Sequence, residues 1–147
     1  MAAIDSDVMS VKQDTYNYMW PRDGALISRS LDKSGYTDIT DNFFDFCAEM
    51  VSHDGYLFHK YLPDKSYGSS WHPWYKDGNI QLPIQEDETA LVLDALWKKF
   101  KRYNNRSLIE RLYPIFIKKA GDFLVSYRDK KTKLPLSLIH ISEPTRP

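Results

Sequence analysis

The chain has 147 residues, with 20 basic and 20 acidic side chains and a formal net charge of zero. That balance leaves no electrostatic footprint for nucleic acid or an anionic membrane surface. The length bounds the chain to one domain with room for a real core. No apolar run reaches membrane-spanning length. The opening Met1-Ala2-Ala3-Ile4-Asp5-Ser6-Asp7 lacks a basic region followed by an apolar stretch, so a soluble, cytoplasmic chain is expected over a secreted one. Cys47 is the single cysteine, which excludes an internal disulfide. Lying among Phe43, Phe44, Phe46 and Met50, it reads as a buried free thiol.

Four helical segments follow in chain order. The first is expected over residues 23–34, with Ile27 and Leu31 on one face and Gly35 as the stop. The second spans 38–52, where Ile39, Phe43, Phe46 and Met50 fall on one stripe and Asp54-Gly55 ends the run. The third covers 86–103, with Ala90, Leu93, Trp97 and Phe100 on a face and Asn104-Asn105 as its turn. The fourth covers 107–128, with Leu112, Phe116, Ala120, Phe123 and Tyr127 in line. Pro114 inside it predicts a kink or break. The short connections Gly35-Tyr36-Thr37 and Asn104-Asn105-Arg106 each join two helices into an antiparallel hairpin. The fold class is therefore all-α, with about two hairpins.

Between the hairpins lies a long segment, residues 56–84. It carries Tyr56, Phe58, Tyr61, Tyr67, Trp71, Trp74 and Tyr75, which fits poorly with disorder. An ordered loop of this kind suits one wall of a binding site; the alternative is that the rings cover the helix ends as core. His59-Lys60-Tyr61 and Trp71-His72-Pro73-Trp74 mix polar and aromatic groups in a way that suits carbohydrate, or simple loop packing.

Trp20-Pro21-Arg22-Asp23 is the most distinctive stretch. A flat ring beside a guanidinium and a carboxylate can hold a sugar, its C–H face on the indole and its hydroxyls on the charges. The alternative is a helix entry in which Pro21 sets the approach and Asp23 caps. Gln85-Glu86-Asp87-Glu88 opens the third helix, where acids are favoured by the helix dipole; one or two of them could instead accept sugar hydroxyls in a cleft. The spacing identifies no general acid, because glycosidases hold two carboxyls ~5–5.5 Å or ~6.5–9.5 Å apart across the scissile bond. Sequence neighbours such as Glu86 and Glu88 radiate to different sides of a helix. His53, His59, His72 and His140 have no metal-ligand spacing with one another or with Cys47, so no metal site is read. Asp5, Asp7 and Asp14 lack the glycine and terminal Glu of a calcium loop. Phosphate and nucleophile-elbow motifs are also lacking.

The run from Asp14 to Ala25, Asp-Thr-Tyr-Asn-Tyr-Met-Trp-Pro-Arg-Asp-Gly-Ala, resembles a signature of the glucoamylase-like glycoside hydrolases of family 15. Gly68-Ser69-Ser70-Trp71-His72-Pro73-Trp74 and Leu82-Pro83-Ile84-Gln85-Glu86-Asp87-Glu88-Thr89-Ala90-Leu91 resemble two further signatures in the same order. The resemblance covers about residues 3–136, and residues 1–136 are taken as a partial catalytic domain. The tail, 137–147, resembles a translated sequencing adapter and is set aside.

What the resemblance implies is an α/α toroid of six helical hairpins around a pocket for the non-reducing end of an α-glucan, preceded in the parent protein by a β-sandwich domain. The implied activity is inverting exo-hydrolysis releasing β-glucose, without a cofactor. Arg22 and Asp23 match the pair that holds hydroxyls of the terminal glucose. Trp20 and Tyr16 match aromatics of that subsite, and Gln85, Glu86 and Glu88 fall in a segment that lines the pocket.

The family's general acid stands in a pattern like Leu-Pro-x-Pro-Ser-x-Asp-Leu-Trp-Glu-Glu. Lys133-Leu134-Pro135-Leu136 resembles its beginning, and there the tail takes over. Glu143 stands at the right offset but in Ser142-Glu143-Pro144, so it is assigned no role and no catalytic residue is assigned. The chain alone is expected to be inactive. The other readings are a non-catalytic carbohydrate-binding helical module, a trehalase or glucodextranase of the same family, and a purely structural hairpin unit.

Overall fold

A computed structural model of the chain describes residues 2–3, 18–68, 75–76, 79–80, 82, 84–85, 87–128 and 132–133. The expectations for Tyr16, Glu86, the Trp71–Trp74 motif, Glu143 and the tail lie outside those residues. The described residues form an all-α fold. Its helices are α1 (Pro21–Lys33), α2 (Thr37–Met50), α3 (Glu88–Tyr103), α4 (Arg106–Leu112) and α5 (Lys118–Ser126), with a π-helical turn, Tyr113–Ile117, between the last two. Two-residue strands pair as β1 (Ala2–Ala3) with β2 (Tyr18–Met19), and β3 (Tyr75–Lys76) with β4 (Asn79–Ile80), both antiparallel.

The helix ends follow local chemistry. Trp20 is the extended residue before α1 and Pro21 takes the first helical position, where its missing N–H costs nothing. Trp20 makes no side-chain cap bond, and Asp23 sits inside the first turn instead of capping it. At the other end, Gly35 and Tyr36 donate their amides to Asp32 and Leu31 carbonyls at 3.2 and 3.0 Å. Asn104 closes α3 in the left-handed region at φ 51°, and the Asn105 side chain caps α4 by accepting from the Leu108 amide. The expected disruption at Pro114 is the π-helical turn. Proline offers no N–H to the preceding turn, and the chain widens so that Lys118 donates to Tyr113, five residues back.

The predicted apolar stripes hold for one helical stretch and are rotated in three others. In 107–128 the buried residues are Leu108, Leu112, Phe116, Ala120 and Phe123, close to expectation. In α1 the buried face is Pro21, Gly24, Ala25, Ser28 and Asp32, while Ile27 is exposed. In α2 it is Thr40, Phe44, Cys47 and Ala48, with Ile39 half exposed at 51%. In α3 it is Glu88, Thr89, Val92, Ala95, Leu96 and Lys99, with Trp97 at 57%. The reason is a polar, closely spaced seam between α1, α2 and α3 that a count of large apolar residues cannot see. Lys99, 2% exposed, places Nζ 3.1 Å from Asp32 Oδ1 and 2.8 Å from Asp41 Oδ1. It also donates to the Thr40 hydroxyl at 2.5 Å and the Thr37 carbonyl at 3.0 Å. Thr40 in turn donates to Asp32 at 2.6 Å, and the Tyr103 hydroxyl donates to the Asp32 carbonyl. Small residues bring the helices close enough for this: a Cβ on Gly24 would meet the Phe43 ring at 2.3 Å.

The main core joins Ala25, Phe44, Cys47, Leu57, Tyr61, Val92, Ala95, Leu96, Leu112, Phe116 and Ala120. Cys47 is a free, fully enclosed thiol, and burial pushes its pKa well above the ordinary range. Of the rings in the long segment, Tyr56 and Tyr61 are buried, Phe58 is partly buried against the core, and Tyr67 is exposed with its ring tilted over Phe58 at 4.0 Å. The side chains of Trp71, Trp74 and Tyr75 lie outside the description. Among the described residues, no helix is long and apolar enough to cross a membrane.

Candidate carbohydrate corner

Three segments far apart in sequence meet at one end of α1 and α3. The first is the entry to α1. The Trp20 ring lies edge-on to Tyr18 at 5.5 Å, and Tyr18 carries the Lys60 ammonium 4.0 Å above its ring. The second is the stretch 52–62. Backbone bonds at 2.9 Å in both directions between Met19 and Tyr61 tie it to the α1 entry. The Leu57 amide donates to the Thr89 hydroxyl at 3.0 Å, which ties it to α3. The tight turn at its start needs Gly55, whose φ is +96° and whose added Cβ would stand 2.1 Å from the Lys119 carbonyl oxygen. The third is the first turn of α3, reached through Gln85 and Asp87.

The charges alternate across this corner. Arg22 reaches across from α1 to Asp87, with Nη1 3.6 Å from Oδ2, both side chains being partly exposed. Asp23 is exposed beside it. Behind them, His59 Nδ1 stands 2.9 Å from Glu88 Oε1, with side-chain exposures of 6% and 0%. Burial raises the Glu88 pKa to about 9, against the weaker downward pull of Arg22 and the Gln85 backbone. Burial, with the positive charges of Lys60 and Arg22, lowers His59 to about 4. The first-turn acid Glu88 therefore departs from the usual dipole-stabilised carboxylate: enclosure by protein outweighs the helix N-terminus. Among the described residues, two buried oxygens here have no hydrogen-bond partner, Gln85 Oε1 and Glu88 Oε2. Such orphaned acceptors mark a place where a polar ligand or water belongs.

Of the residues singled out from sequence, Trp20, Arg22, Asp23, Gln85 and Glu88 thus fall at one corner, and Tyr16 and Glu86 lie outside the described residues. Sequence reasoning paired neither His59 with Glu88 nor Arg22 with Asp87. Those partners are separated by 29 residues for the first pair, and only the fold brings them together. The one available signal was His59 itself, a polar ring flanked by Phe58, Lys60 and Tyr61. What the corner can do chemically is present an aromatic edge, a guanidinium and two exposed carboxylates to a polyhydroxylated ligand, with the two unused acceptors enclosed behind them.

No family model matches the chain, and no solved structure matches it. The chain is 31% identical over 110 residues to an uncharacterized glycosyl hydrolase of Methanocaldococcus jannaschii, a match that covers 74% of this chain and 16% of that protein. The chain thus spans about a sixth of the length of the relative it matches. Over most of its length, this all-α chain is similar to a protein named as a glycosyl hydrolase.

Proposed function

We propose that the chain supplies the sugar-holding part of a glucoamylase-like glycoside hydrolase of family 15, built as a six-hairpin α/α toroid. In the whole protein the activity is inverting, exo-acting release of β-glucose from the non-reducing ends of α-glucans. Arg22 and Asp23 take hydroxyls of the terminal glucose, and Trp20 and Tyr16 take its apolar face. Gln85, Glu86 and Glu88 complete the polar lining. The observation that carries this reading is the approach of Arg22, flanked by Trp20 and Asp23 at the α1 entry, to Asp87 at the α3 entry, at 3.6 Å. The similarity to a glycosyl hydrolase supports it.

The chemistry needs an acid to protonate the leaving oxygen and a base to activate water on the opposite face. Neither role is given to a residue of this chain: its part is to bind and orient. The test is anomeric-proton NMR of glucose released from maltooligosaccharides by the full open reading frame. β-Glucose appearing first supports the reading; α-glucose first, or sugar binding without hydrolysis, overturns it. Arg22→Ala in that protein should lower kcat/KM by roughly 10- to 100-fold, the range for a charge-assisted hydrogen bond.

A further inference from the structure

We propose that Glu88 is a positioning residue of the carbohydrate corner: as a carboxylic acid it donates from Oε1 to Nδ1 of a neutral His59, and this bond locks Lys60 and its loop onto α3 beside Arg22. The proposal rests on the sugar-binding reading for the purpose of the corner, and on geometry for the bond. The two heavy atoms are 2.9 Å apart, and both side chains are enclosed.

A neutral Nδ1–H imidazole donating to the carboxylate would leave a lone charge buried, and an imidazolium–carboxylate pair is the other alternative state. It would hold two full charges out of water and leave Glu88 Oε2, which has no hydrogen-bond donor, as a charged orphan. The surroundings do not favour it. The charged groups acting on the pair are Arg22 and Asp23 from α1, Lys60 from the loop, and Asp87 from the α3 entry. At His59 the two cations act more strongly than the two anions, so the surroundings oppose the imidazolium. Burial moves both pKa values in the matching direction, the acid up and the base down.

The consequence for the corner follows from connectivity. Consecutive residues of α3 hold the loop at two points, Glu88 at His59 and Thr89 at Leu57. Lys60 follows His59 and stands over Tyr18, whose ring meets Trp20. Loss of the Glu88 donor would free the loop at its middle and loosen the Lys60–Tyr18–Trp20 stack. The orphaned Oε2 then stands as an acceptor for one enclosed water or ligand hydroxyl.

The experiment is a ¹⁵N-histidine NMR titration of the full chain from pH 4.5 to 8.5, with maltose titrations at pH 7. The expected His59 signature is the Nε2–H tautomer with unprotonated Nδ1, unchanged above pH 5. Glu88→Gln should keep that tautomer, because its amide donates the same bond, and should recover most of the affinity lost in Glu88→Leu, about tenfold. An imidazolium at pH 6–7, an Nδ1–H tautomer, or a Glu88→Gln variant as impaired as Glu88→Leu overturns the proposal. The parent spectrum and the Gln variant decide this even where Glu88→Leu does not fold. A chain that carries the signature but binds no maltose refutes the sugar reading alone.

Discussion

Lys99→Met isolates what the buried seam between α1, α2 and α3 contributes. Methionine keeps most of the length of lysine and removes the charge. In the parent chain Nζ lies 3.1 Å from Asp32 Oδ1, and that carboxylate is 4% exposed. At an effective dielectric near 20 the direct attraction at this distance is about 5 kcal/mol. Desolvation of both ions opposes it, so the net worth of the pair is much smaller. Deleting one partner is another matter, because Asp32 would stay buried with only the Thr40 hydroxyl, at 2.6 Å, on its side chain. The expected loss is roughly 3–5 kcal/mol, the cost of an uncompensated buried charge. Asp41, the second carboxylate, has a side chain 30% exposed, but its Oδ1, the oxygen facing Lys99, is buried and adds to the loss. Urea unfolding followed by far-ultraviolet circular dichroism reads the effect. With a slope of ~2 kcal/mol per molar, the midpoint should fall by about 2 M at unchanged slope. Adding Asp32→Asn to Lys99→Met should restore part of the loss, because it removes the orphaned charge. A single variant within 1 kcal/mol of the parent (about 0.5 M in midpoint), or a double variant no better than Lys99→Met, would refute the reasoning.

Three further outcomes follow. Glu88, raised to about 9, binds its proton more tightly in the folded state, so stability should fall as pH rises from 4.5 towards 9. His59, lowered to about 4, acts oppositely only below 6.5; the net fall should therefore appear between pH 6.5 and 9, at up to ~1.4 kcal/mol per unit. Glu88→Gln should flatten it, as urea midpoints across that range would report; an unchanged slope would count against the buried acid. Gly55→Ala combines a φ of +96° with a Cβ 2.1 Å from a backbone oxygen, so a loss of roughly 2 kcal/mol or more is expected in thermal melts, and a neutral result would contradict the turn geometry. Cys47 is buried and its thiol resists ionisation. It should remain unreactive towards a thiol reagent in native buffer and react fully in urea; rapid native reaction would show the core to be open.

Much of this molecule was legible from sequence, and the reasons differ by element. The four helical stretches follow from local signals: Pro21 at a helix start, Asn104-Asn105 at a helix turn, and Pro114 as a disruption inside a run. Each of these acts within one turn of backbone, which is the range that sequence pattern reads well. The 107–128 stretch also buried the expected stripe, because it packs through ordinary aliphatic and aromatic side chains. The buried faces of α1, α2 and α3 were misplaced for the opposite reason. They are lined by Gly24, Ser28, Asp32, Thr40 and Lys99, which hydrophobic periodicity counts as surface.

The sequence by itself determined the helical character, the helix boundaries to within a few residues, and the adjacency of an aromatic ring, a guanidinium and a carboxylate at Trp20, Arg22 and Asp23. Only the tertiary structure decided that Arg22 faces Asp87, that His59 closes on Glu88, and that a lysine lies buried in the seam between α1, α2 and α3. These are contacts between groups 29 to 67 positions apart for the His59–Glu88 and Lys99–Asp32 pairs. Burial then reverses what Glu88 does: a first-turn glutamate that would be an anion on a solvated helix is held as an acid here, because enclosure costs a charge more than the helix dipole returns.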